Sequence, residues 1–343
     1  MRISKPITFN TFPGMDNVAP KGGKADVRIH GSNAIIPQII LNMYATPDGK
    51  LIKRQGSALF VAIEDVHSLV SDGMDLFCAG KGTSSPESIC KVSPLGAKTE
   101  LGAIRGKFHP MSYIFVNNKG YISSKVWNGV YVYQTQTIRQ WGTLYNDDPS
   151  SIDSMYSSEQ MITLGVIPAP FMENLCLWGS RIWGSVDNRI YYSDPPLAFE
   201  MYLKDSFLEF NGDIIMIART IGGMYFATID STWFASGLQP ESMIINHVGE
   251  GVLPGSLQYG LLQKISKEVI PIWTSPSGIV AGSDNGSIIP LTLQRVKFDV
   301  AGRAAAFFKT KPVPQYLTNF PLPSNAVFGD SITCEVFRNG KLI

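Results

Sequence analysis

The sequence predicts an all-β protein assembled from small antiparallel sheets. A strand–turn–strand pattern recurs along the chain. The composition agrees: 32 Gly, 22 Pro and only 17% charged residues suit many short strands joined by turns better than long helices. Aromatic residues make up 11%, and most fall in strand-like runs, where packing between sheets is their commonest use.

The clearest unit runs from Leu175 to Tyr202. Leu175, Leu177 and Arg181 to Trp183 alternate or cluster as half-buried strand residues do. Val186-Asp187-Asn188-Arg189 is read as a hairpin turn, because Asn and Asp tolerate positive φ and bond their own backbone. Ile190-Tyr191-Tyr192 leaves as the next strand, and Ser193-Asp194-Pro195-Pro196 stops it, since proline donates nothing to a ladder.

Four looser units have the same form: apolar strand, Asp/Asn/Gly turn, apolar or aromatic strand. Val66–Val70 turns at Ser71-Asp72-Gly73 into Met74–Ala79. Met111–Val116 turns at Asn117–Gly120 into Tyr121–Ser123. Met224–Thr228 turns at Asp230-Ser231 into Thr232–Ala235. Ile270–Trp273 and Gly278–Ala281 lead through Ser283–Gly286 into Ser287–Leu291. Starts lie roughly 40 to 60 residues apart, which brackets the blade length of β-propellers. The fold expected over residues 35–300 is therefore β-propeller-like, with five blades visible and about five to seven in all if the strands of 35–63 close the ring. Hairpins in a β-sandwich are the alternative.

Two stretches interrupt the period, Asn146–Gly165 and Val252–Ser266, and each is expected to carry a short helix between blades. Residues 1–34, turn-rich and poor in strand signals, are expected to form an extended N-terminal arm. Residues 301–343, with Pro312, Pro314, Pro321 and Pro323 among aromatics, are expected to form an extended C-terminal segment and docking strand. The last strand, Ile332–Phe337, reaches an Asn339-Gly340 turn with three residues left. That pattern suggests pairing with another subunit.

The search for chemistry returns little. Cys78, Cys90, Cys176 and Cys334 fit no zinc spacing and read as structural thiols. His30, His67, His109 and His247 form no ligand pair, and each is read as a satisfied or exposed side chain. Asp187-Asn188 and Asp284–Ser287 lack calcium-loop spacing and are explained as turns. Asp72/Asp75 and Asp147-Asp148 are carboxylate pairs of the kind that chance supplies, short of the defined separation that glycoside hydrolysis needs. No G-x-S-x-G, P-loop or G-x-G-x-x-G occurs, and Gly222-Gly223 reads as a turn. No catalytic residue, cofactor site or metal site is expected. A net charge of +1 without a basic block gives nucleic acid no electrostatic hold. The longest apolar run, Ala34–Leu41, is far shorter than the roughly 20 residues that span a bilayer. The N-terminus lacks an apolar core and cleavage site of the secretory kind. Synthesis in the cytoplasm and no transmembrane segment are expected.

Several of these stretches resemble structural proteins of tailed bacteriophages. Phe12-Pro13-Gly14-Met15-Asp16-Asn17-Val18 is similar to their "G-M-D/N-N" opening. Gly49–Gly56 is similar to a "G-x-ϕ-x-x-R-x-G" motif. Ser180–Gly184 through Asn188–Pro195 looks like an "R-ϕ-W…N-R-ϕ-Y-Y-S-D-P" unit, and Phe210–Ile215, Gly223–Phe226 and Ser231–Phe234 fit the same pattern. The resemblance covers residues 10–65 and 170–295. It implies a non-enzymatic, β-propeller-like virion protein of the tail tip, baseplate or nozzle. Such a protein would bind other virion tail proteins, work as a symmetric homo-oligomer in the particle, and possess no nucleic-acid specificity. A receptor- or glycan-binding propeller touching a host cell-surface receptor is the second reading, and a polysaccharide hydrolase the third. Phe12, Met15, Phe307, Phe308, Tyr316, Phe320, Val336 and Phe337 are the candidate partner-binding residues, all on the two expected arms.

Overall fold

A computed structural model describes residues 60–104 apart from Ser84, 109–142, 163–262, 265–292, 303–309 and 315–321. It also describes the backbone of seven short strands near the ends. The chain divides into two compact units. One holds Ala58–Arg219 with Leu238–Ser242; the other holds Met1–Ser57, Thr220–Gly237 and Met243–Ile343.

The first unit carries three antiparallel meanders. The first runs β5 (His67–Ser71), β6 (Leu76–Gly80), β7 (Ser88–Val92) and β8 (Lys98–Ala103); the four strands that precede it in the chain, between residues 26 and 53, belong to the other unit. The second runs β9 (Ser112–Val116), β10 (Lys119–Ser123), β11 (Asn128–Val132) and β12 (Thr137–Arg139). The third has β14 (Glu173–Trp178), β15 (Arg181–Val186), β16 (Arg189–Ser193) and β17 (Tyr202–Glu209), with the short β13 (Val166–Ile167) added beyond β17. β18 (Met216–Arg219) follows.

The turns form where the sequence offers residues that accept positive φ. Val116 pairs with Lys119 across Asn117-Asn118, whose φ values are 52° and 56°. Trp178 pairs with Arg181 across Gly179-Ser180 at 57° and 60°. Val186 pairs with Arg189 across Asp187-Asn188, with Asp187 at 50°. Two-residue loops of this hand match the natural twist of a hairpin. The hairpin turn expected at Val186–Arg189 is present.

Successive meanders meet face to face. Phe77, Ala79 and Ile89 of the first pack with Met111, Ile122 and Tyr131 around the second. On the other face of the second, Tyr121, Val130 and Trp141 pack with Met172, Leu175, Ile182, Phe199 and Tyr202 of the third. Side chains of this size stabilise by about 1.5–3 kcal/mol each when fully buried. The leading strands lie side by side, β9 beside β14 and β14 beside β18.

In the other unit, β1 (Asp26–Ile29) pairs with β2 (Ser32–Ile35), and β3 (Met43–Ala45) with β4 (Leu51–Lys53). Thus the expected N-terminal arm ends in a hairpin, and residues 1–25 lie outside the described ones. Next come β19 (Gly223–Ala227), β20 (Ser231–Ser236) and β21 (Ile244–Glu250), again antiparallel. A four-stranded meander follows: β22 (Gln258–Leu261), β23 (Val269–Ser275), β24 (Gly278–Gly282) and β25 (Ile288–Pro290). β22 replaces the helix expected between Val252 and Ser266. Most of the other expected helix, within 146–165, falls outside the described residues.

The C-terminal segment corrects the sequence reading. It forms a sheet instead of an extended segment: β26 (Ala305–Lys309), β27 (Gln315–Pro321) and β28 (Ser331–Glu335) pair in order. The strand expected to await another subunit pairs within the chain. β28 lies on β27, and β29 (Phe337–Arg338) turns back on β30 (Lys341–Leu342). Period-two alternation puts Ala304 and Phe308 inside and leaves Phe307 exposed. Phe308 and Tyr316 join Leu253, Leu262, Ile270, Ile272, Ile279 and Leu291 in one core, with β22 beside β26. The Tyr316 hydroxyl donates to Ser256 O.

Candidate functional site

Five of the eight expected partner-binding residues offer no side chain to judge: Phe12, Met15 and Val336 lie outside the described residues, and Phe320 and Phe337 are described only as strand backbone. Of the other three, Phe308 and Tyr316 are buried in the core described above, and Phe307 faces outward.

The strongest apolar exposure of the first unit sits instead on turns. Met74 and Leu95 are 71% and 96% exposed. Each is held out by a tight polar turn. The Asp72 carboxylate accepts the amides of Met74 and Asp75 at 2.8 and 2.7 Å, and the Tyr133 hydroxyl donates to its other oxygen. Burial works against the Asp72 charge, but these donors prevail and hold its pKa below the usual carboxylate range. Around Leu95, Ser93 N donates to Ala97 O and the Ala97 amide to Ser93 Oγ.

Leu197 and Leu238 flank the Gly179-Ser180 turn. The Leu197 amide donates to Ser180 O at 2.7 Å, with Leu197 itself at φ 71°. A side chain added at Gly179 would come within 3.3 Å of Leu238 O. Met74 and the Gly179-Ser180 turn join first to second strands of their meanders; Leu95 and Leu197 join third to fourth. In a meander those connections emerge at one end of the sheet, so the exposed apolar groups share that end of their own sheets. Sequence reading missed them because a lone apolar residue in a turn has no periodicity to betray it. The one legible signal was the Asp/Ser/Gly turn chemistry around each.

Behind these turns two buried charged side chains are paired. Arg181 is buried, donating from Nη1 to Ser193 O (2.7 Å) and Asp194 Oδ1 (2.6 Å), with its guanidinium over the Tyr192 ring. Ser193 Oγ accepts the Ile182 amide. The Arg-Ile-Trp and Tyr-Tyr-Ser-Asp-Pro segments thus close onto each other. Glu200 is buried between Lys119 Nζ (2.9 Å) and Arg139 Nη2 (2.6 Å). Burial would raise its pKa; the bonds and charges of Arg139 and Lys119 outweigh that and lower it.

His67 spends both ring nitrogens. Nε2 faces the buried Glu87 carboxylate at 2.7 Å, and Nδ1 faces Ser68 Oγ at 2.8 Å. A hydroxyl, imidazole and carboxylate in line could in principle serve nucleophilic chemistry. However, Ser68 Oγ also accepts the Met111 amide, and Ser112 Oγ accepts the Leu175 amide in the same way at 2.7 Å. Ser68 and Ser112 therefore act as staples between the starts of successive meanders. Asp284–Ser287 is a turn, with Asn285 Oδ1 accepting the Ser287 amide and Asp284 Oδ1 accepting that of Ile221. The Gly222-Gly223 turn is likewise present, closed by Thr220 N to Gly223 O. Among the described residues no three His, Cys, Asp or Glu side chains are grouped to hold a metal ion. Tyr131, Trp141, Trp183 and Tyr192 are buried, as aromatics that pack between sheets are expected to be. Among those residues no helix is long and apolar enough to cross a membrane.

No family model and no curated protein matches the chain. Solved structures give a faint likeness. A catalytically inactive variant of virginiamycin B lyase from Staphylococcus aureus with quinupristin is 11% identical, with a TM-score of 0.45 over 80% of this chain and 84% of that one. The computationally designed Ika8 protein is 11% identical, with a TM-score of 0.42 over 82% and 76%. An extracellular domain of a hybrid two-component system from B. thetaiotaomicron is 10% identical, at 0.46 over 80% and 33%. At such scores the neighbours' activities stay with the neighbours.

Proposed function

We propose that this protein is a non-enzymatic, β-propeller-like component of a bacteriophage tail, at the tail tip, baseplate or nozzle. It binds neighbouring virion proteins, copies of itself included. The observation that carries the reading is the Ser180–Pro195 stretch. The residues that resemble the tail-protein unit are those that lock one meander, through Arg181, Ser193 and Asp194. A propeller arrangement is supported by the leading strands, which lie side by side within each unit. Among the described residues, six sheets of three to five strands follow one another in chain order from β5 onward.

The contact surface in this reading is the turn end that carries Met74, Leu95, Leu197 and Leu238, in place of the arms expected from sequence. Immunogold electron microscopy with antibody raised against the recombinant chain tests the reading. Gold clustered on the tails of phage particles is the expected result. Tails without label, or label confined to soluble host fractions, would overturn it.

A further inference from the structure

The two buried cysteines of the first meander occupy opposite positions on neighbouring strands. Cys78 on β6 and Cys90 on β7 are register partners in the antiparallel ladder. Directly opposed residues in such a pair have Cα atoms about 4.5 or 5.5 Å apart, whichever kind of pair they form. Both values lie inside the roughly 4.4–6.8 Å window of disulfides. Opposed residues also project to the same face of the sheet. Both side chains are buried and both are free thiols.

We infer that Cys78 and Cys90 are a latent cross-strand disulfide, reduced where the chain is made and oxidised once it meets a small disulfide oxidant such as oxidised glutathione. One thiolate attacks a sulfur of oxidised glutathione, breaking its S–S bond and releasing one glutathione thiol. The opposite cysteine, as thiolate, then attacks the protein sulfur of that mixed disulfide. The Cys78–Cys90 bond forms and the second glutathione leaves. Two electrons pass from the cysteines to the oxidant, and their two protons end on the glutathione thiols.

Burial sets the rate. It pushes the Cys78 thiol up to about 11, helped by the neighbouring Cys90, and it raises Cys90 too. Little thiolate exists near neutral pH, so the pair resists brief exposure and responds to lasting oxidation. The bond would tie β6 to β7 at the centre of the first meander. This inference does not depend on the proposed virion role.

The test is mass mapping of the intact, folded chain held in oxidised glutathione at pH 8.5, then unfolded in denaturant so that every remaining free thiol is alkylated. The expected product is a linked peptide pair containing Cys78 and Cys90, 2 Da lighter than the dithiol. It should come with a higher Tm that returns to its starting value on reduction. C78S and C90A are each expected to abolish both the link and the Tm shift. Alkylation of both residues after prolonged oxidation would overturn the inference. So would a link that joins either one mainly to Cys176 or Cys334.

Discussion

Replacing Glu200 with Gln takes the negative charge out of a buried triad and leaves Lys119 and Arg139 facing each other. Breaking a buried pair on one side costs roughly 3 kcal/mol or more, so E200Q should lower the urea midpoint substantially at pH 7. The pH dependence has a definite sign. The folded carboxyl titrates below its unfolded value. Its contribution is present above the ordinary carboxylate range and fades as pH falls through the folded pKa. Wild type and E200Q should therefore converge in stability under acid, a trend that urea titrations at stepped pH would reveal. A constant gap between them would contradict the triad's role. Cys176 is expected to behave differently from an exposed thiol. Burial pushes it up to about 12, so it should resist iodoacetamide in the native protein and react once unfolded.

At the scale of elements, the staples and the C-terminal sheet decide how the meanders hold together. S68A and S112A each remove a hydroxyl that accepts the first amides of the next meander. A cost of about 1–2 kcal/mol is expected for each, read by chemical denaturation. In the other unit, Phe308→Ala should cost roughly 3 kcal/mol, the ordinary price of emptying a buried aromatic site. Deleting residues 303–343 should strip the cover from Leu262 and Ile272, with a loss of cooperative unfolding in that unit. Were the segment a free arm, the truncated protein would unfold as the full chain does.

The hairpins were legible for a physical reason: Asn117-Asn118 and Asp187-Asn188 supply the φ that a two-residue turn requires, and apolar runs flank them. The C-terminal sheet was not. Its prolines read as an extended segment, yet Pro321 closes β27 opposite Ser331, an end position that proline tolerates. β22 was misread because Gln258–Leu261 is short and contains Gly260. Glycine is there for want of space, as a side chain would come within 2.4 Å of the Phe308 ring. No local pattern announces a long-range packing demand of that sort. The same limit applies to Ser68, whose role depends on a partner 43 residues away.

For the whole molecule, the proposed tail role assigns the exposed apolar turns to contact with other proteins. Changing Met74, Leu95, Leu197 and Leu238 to Ser should leave Tm within about 1 °C, because exposed sites contribute little to folding. The same variant should fail to enter tails when it replaces the wild-type chain during assembly, scored by immunoblot of purified particles. The most direct measurement is a cryo-electron microscopy map of the phage tail at side-chain resolution. The account predicts this chain in the tail, with the Met74, Leu95, Leu197 and Leu238 turns buried against neighbouring chains. Tail density fully explained by other proteins, or this chain present with those turns facing solvent, would contradict it.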